Sequence, residues 1–130
     1  MKIEALYKVD RSKVTWADIK AKRDALEQSP LEVPGMGVFD VDTLSMERMR
    51  IAVENFDVLP TLNADGLLAW KLENNTLVFL SKEMLSAIYS EVIKAISIRA
   101  AILHVKAEQL RSQIPHVTRY TLDKPETWGL

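Results

Sequence analysis

The chain contains no cysteine, only four glycines and only two histidines among 130 residues. Without cysteine there is no disulfide framework, no thiolate nucleophile and no iron–sulfur cluster. So few glycines leave no Gly-rich loop to cradle phosphates. No apolar run approaches the roughly 20 residues needed to cross a bilayer. Met1-Lys2-Ile3-Glu4 brings an acid at once and no apolar signal core follows. A soluble, unsecreted protein is expected. There is no excess of either charge: Lys and Arg number 17, Asp and Glu 18, for a net charge of −1. Non-specific nucleic-acid binding feeds on cationic charge, so that class is disfavoured. The small basic cluster Lys20, Lys22 and Arg23 is balanced by Asp18, Asp24 and Glu27.

What is present is an ordinary globular balance, 48% apolar and 27% charged, in 14.8 kDa. That length suits one domain. Residues 1–14 read as an extended arm or short strand, since Lys2 to Glu4 alternate and Asp10 to Lys13 are polar. A first helix is expected from Thr15, where Thr15 and Asp18 have capping-box spacing, to Pro30. Pro34-Gly35, between Leu31-Glu32-Val33 and Met36-Gly37-Val38-Phe39, suits the centre of a type II turn and predicts a hairpin. Asp40-Val41-Asp42 offers N-caps for a second helix near 43–56, with Met46, Met49, Val53 and Phe56 on one face. After a loop at 57–66, a second hairpin is expected at 67–80 around Glu73-Asn74-Asn75, because asparagine tolerates the left-handed conformation.

Ser81 then caps a long helix near 82–113, on the order of 45 Å long. Leu85, Ile88, Val92, Ile96, Leu103 and Leu110 trace one seam. Met84, Ala95, Ile98, Ile102 and Val105 widen it beyond half the circumference. Either the hairpins and shorter helices cover that width, or another chain does. Residues 115–130 hold two prolines and no periodicity, and read as an extended tail. Tyr120 and Trp128 are large anchors of the kind found at interface hot spots, or they fold back over the chain's own core. The expected architecture is α+β: a helix-dominated single domain over 15–114 in the order α-ββ-α-ββ-α, with two small antiparallel hairpins packed on helices.

Catalytic templates fail on inventory. His104 and His116 have no acidic residues at metal-ligand spacing. Asp40, Asp42, Asp57 and Asp65 lack the central glycine and closing glutamate of a calcium loop. Ser81 and Ser90 have no local base. No catalytic residue, cofactor or metal site is expected. The residues expected to bind a partner are Ile98, Ile102, Val105, Tyr120, Leu122 and Trp128.

Three stretches in order carry a resemblance. Helix 1 holds Ile19-Lys20-Ala21-Lys22-Arg23-Asp24. Next come Val33, Gly35, Phe39-Asp40-Val41-Asp42 and Ser45. The third is Trp70-Lys71-Leu72-Glu73-Asn74-Asn75-Thr76-Leu77-Val78-Phe79-Leu80. From about Trp16 to Ile114 the chain resembles a small domain of unknown function found in tailed-phage and prophage proteins, usually encoded beside tail-fibre genes. It departs from that pattern at Glu73, where Asp is usual, and at Val53-Glu54-Asn55-Phe56, where alanine is frequent. The resemblance implies a tail-fibre assembly factor, chaperone-like and acting in the host cytoplasm, or a structural tail-tip or fibre adaptor that stays in the virion tail. Its expected partners are a tail-fibre or other tail protein and a second copy of the chain through the long helix, with no nucleic acid and no membrane. It supplies no catalytic residue. Gly35, Phe39, Asp42, Ser45, Trp70 and Asn75 read as turn, cap and core positions.

Overall fold

The computed structural model of the protein describes residues 13–60 and 65–130. The arm expected before Lys13, and Asn63 and Ala64 of the central loop, lie outside the described residues. The elements are α1 (Trp16–Glu27), β1 (Leu31–Val33), β2 (Gly37–Phe39), α2 (Thr43–Glu54), β3 (Leu68–Lys71), β4 (Leu77–Leu80), α3 (Lys82–Ser112) and α4 (Arg119–Asp123). One 3-10 turn, Phe56–Val58, follows α2, and another, Pro125–Trp128, follows α4. Helix dominates, and the order α-ββ-α-ββ-α is the α+β architecture expected, with α4 added after it. The chain divides into two compact units, residues 27–100 and a discontinuous one of the described residues up to Leu26 with 101–130.

In the 27–100 unit, β1 and β2 pair antiparallel, Leu31 opposite Phe39. Their turn is built as Pro34-Gly35 requires: the Met36 N–H donates to Val33 O at 3.0 Å and Gly35 takes φ +79°. β3 and β4 pair from Leu68–Leu80 to Lys71–Leu77. Asn75 sits at φ +69°, and the Asn74 side chain holds the Thr76 amide and hydroxyl. The Glu73 N–H donates to Val38 O at 3.0 Å, tying one hairpin to the other. Phe39, Met49, Leu80, Leu85 and Val92 form the core, with Phe56, Leu72 and Ile88 around them. Each hairpin thus buries one face on α2 and the first half of α3, as an isolated two-stranded ribbon must to be stable.

Gly37 has φ +129°, and a Cβ there would lie 2.7 Å from Leu72 Cδ1. Gly37→Ala is therefore expected to lose about 1–3 kcal/mol, chiefly through backbone strain, since the Leu72 methyl can shift. Gly35→Ala, with open space around its Cβ position, shares only the positive φ and is expected to lose less. Urea midpoints of the two variants test this ranking.

In the other unit, Ile19, Leu103, Ala107 and Trp128 are fully buried, with Val14, Leu110, Val117 and Leu122 beside them. The capping box forms: the Asp18 N–H donates to Thr15 Oγ1 at 3.2 Å and the Thr15 N–H to Asp18 Oδ2 at 2.9 Å. These bonds to Thr15, with the Arg119 guanidinium 3.3 Å away, hold the Asp18 carboxyl below its ordinary value. A depressed folded-state pKa gives stability that is present above the unfolded value and lost as pH falls through the folded one. Thermal midpoints of the native chain and Asp18→Asn are expected to differ at pH 6 and to draw together as pH falls below the ordinary carboxylate range.

Residues 115–130 are not extended. Thr118 caps α4 by accepting from the Thr121 N–H at 3.1 Å. Pro125 stands at the start of its 3-10 turn, where a missing N–H costs nothing, and Gly129 at φ +76° closes it. The prolines thus punctuate two short turns instead of preventing them. α2 stops at Glu54, short of the expected 56, because Phe56 enters the 3-10 turn that buries its ring. α1 stops at Glu27, and residues 28–30 are non-helical before β1.

Candidate functional site

The long helix α3 starts where Ser81 Oγ accepts the Met84 N–H at 3.1 Å. Its buried seam, Leu85, Ile88, Val92, Leu103 and Leu110, is the one expected. The opposite face is not covered. Ile98 is 62% exposed, Ile102 38% and Val105 58%. Around Ile102 and Val105 a shallow depression of about 300 Å³ is walled by Ala101, Lys106 and Gln109. The side chain of Ile102 rests near Gly129: a Cβ there would meet Ile102 Cγ2 at 3.2 Å, a tight contact.

The other expected partner residues divide. Tyr120 is 73% exposed, its ring 4.1 Å from the Lys124 ammonium. Leu122 and Trp128 are buried, in keeping with the alternative in which this segment folds back over the chain's own core. Trp128 is wholly inaccessible, and its indole Nε1 donates to Leu122 O at 2.9 Å. An aromatic ring that is closed off and hydrogen-bonded is a core residue, not a free anchor.

Charged groups within the 27–100 unit are mostly used internally. Arg50 bonds both Glu47 and Glu54, which raises its pKa and lowers that of Glu47. These ion pairs stand beside a groove of about 430 Å³ between Met46, Tyr89 and Ile96. Arg99 donates to Glu27 O at 2.8 Å, to Ser29 O at 2.9 Å and to Ser29 Oγ at 3.2 Å. Burial lowers the Arg99 pKa, and Glu27 partly offsets this. A cation on the carbonyls at the end of α1 also suits the helix dipole.

A second cleft, of about 290 Å³, gathers residues that are far apart in sequence. Asp40 follows β2, Ser45 and Arg48 lie on α2, Trp70 and Lys71 end β3, and Asn75 is in the β3–β4 turn. Ser45 and Trp70, expected only to cap or pack, are brought together here. Asn75 does hold the turn, Phe39 is core, and Asp42 precedes α2 without a side-chain capping bond. Arg48 was not marked by any motif, and Lys71 stood in one without an expected role; both line the cleft between α2 and β3. Among the described residues no group of three His, Asp or Glu side chains is arranged to hold a metal ion.

No helix among the described residues is long and apolar enough to cross a membrane. Neither the curated proteins nor the solved structures contain a match to this chain. A family profile does match, over residues 10–126, which takes in both units. The chain belongs to that family, the domain of unknown function DUF4376.

Proposed function

We propose that the protein is a phage tail-fibre assembly factor, which covers an apolar segment of a tail-fibre or receptor-binding protein until that client trimerises. The reading begins from the resemblance to tail-fibre-associated proteins. The observation that carries it is the exposed apolar face of α3 at Ile98, Ile102 and Val105. A protein that holds a client needs such a surface and no reacting groups, and burial of it returns roughly 25 cal/mol per Å². Tyr120 adds an amphipathic side chain in the same unit as Ile102 and Val105. The place of action in this reading is the host cytoplasm during assembly.

The test is co-expression with a tail-fibre protein of the same genome. The native chain is expected to keep the fibre soluble and trimeric. Ile102→Glu with Val105→Glu is expected to fold normally, since both side chains are at the surface, and to lose at least tenfold in client affinity. A fibre that is soluble and trimeric without this protein overturns the reading. The alternative, a structural adaptor that stays bound, is favoured if the protein is recovered in purified particles. Light scattering of the native chain decides self-association through α3: a strict monomer removes the second copy as a partner.

A further inference from the structure

We propose that the cleft between β3 and α2 binds a single acidic sugar ring. This goes beyond client binding and uses a different surface. Within the described residues, the side chains of Asp40, Ser45, Arg48 and Lys71 make no hydrogen bond or ion pair, although all four line one cleft. On the same helix, Arg50 is held by two glutamates. Asp40, Arg48 and Lys71 are exposed and Ser45 is half-buried, so these groups are open to a solute on one cleft wall.

Their chemistry narrows the ligand. Trp70 gives the wall a flat apolar surface against which the C–H face of a pyranose can lie. Asp40 is an acceptor for hydroxyl donors, while Ser45 can donate and accept. Arg48 and Lys71 set two cations against the one carboxylate of Asp40. That balance suits a ligand with one negative charge. A polyphosphate would meet the Asp40 carboxylate and be repelled. The volume, about 290 Å³, is at the lower limit for small-molecule sites and suits a group the size of one ring. The ring carries hydroxyls for Asp40 and Ser45 and a carboxylate for Arg48 and Lys71. It enters either as a free monosaccharide or as the end of a glycan.

The experiment is calorimetric titration of the full chain with glucuronate, glucose, AMP and a glucuronate-ended disaccharide. Glucuronate is expected to bind at least tenfold more tightly than glucose, and AMP not measurably. Arg48→Gln is expected to abolish the preference for glucuronate over glucose, while Asp40→Asn weakens both. Thermal midpoints check that these surface variants remain folded. A disaccharide that binds as well as the free sugar assigns the free ring, and tighter binding assigns the glycan end. The proposal is overturned if neither sugar binds, if AMP binds more tightly than glucuronate, or if Arg48→Gln leaves the preference unchanged. Ile102→Glu, outside the cleft, is expected to leave the titration as it is.

Discussion

Trp128→Ala is expected to destabilise the unit built from residues 13–26 and 101–130 by about 3–5 kcal/mol. The indole is fully inaccessible and packed among Ile19, Leu103 and Leu122. Its removal leaves a cavity where this small core has its largest side chain, and also frees the Leu122 carbonyl that Nε1 now satisfies. Trp128→Phe keeps most of the volume but loses that bond, so an intermediate loss is expected. Tyr120→Ser should change stability by less than about 0.5 kcal/mol, because the ring is mostly solvated. Denaturant titration of the three variants measures the differences. If Trp128→Ala is as stable as Tyr120→Ser, the packing of this unit described above is wrong.

The second large effect is expected at Phe39. Phe39→Ala should cost about 3–5 kcal/mol in the 27–100 unit, since the ring is wholly buried with Met49, Leu80 and Leu85. Phe79 has the same side chain on β4, but it is 44% exposed. Phe79→Ala should therefore cost far less, near 1 kcal/mol or under. The comparison separates burial from residue type. Equal losses at the two sites would mean that the β1–β2 hairpin does not pack on α2 and α3 as described.

Much of this fold was legible because its signals are local. Thr15 and Asp18 cap each other, Pro34-Gly35 forms its turn, Asn75 takes positive φ, and Ser81 starts α3. Each needs only neighbours a few residues away. The carboxy-terminal residues read as extended because two prolines outweigh the Thr118 cap and the closing Gly129 that in fact define their turns. Tyr120 and Leu122 show why their roles were not separable beforehand. Two positions on a helix differ by about 200° around its axis, so one ring faces solvent while its neighbour enters the core. Which side is which depends on what α4 packs against, and Leu122 shares its core with Ile19 and Leu103, both remote from it in sequence. The apolar face of α3 was visible as a surplus, but periodicity could not say that Ile98, Ile102 and Val105 are the part left exposed. The polar cleft was not legible as a site: all its lining residues but Arg48 stand in the motif stretches, yet they come from 40 to 75 and meet only through tertiary pairing.

The unit containing Ile19 and Trp128 is interrupted by the whole of 27–100. During translation, α1 leaves the ribosome with its apolar side unsatisfied and stays so until synthesis has passed Trp128. The intervening unit has all its core partners by Val92 and is free to close first. Chains truncated near residue 110 and released should therefore resist protease within 31–60 and 65–96 and be cut within α1. Chaperone capture at Trp16, Ile19 and Leu26 would then fall in that interval and end when the indole docks.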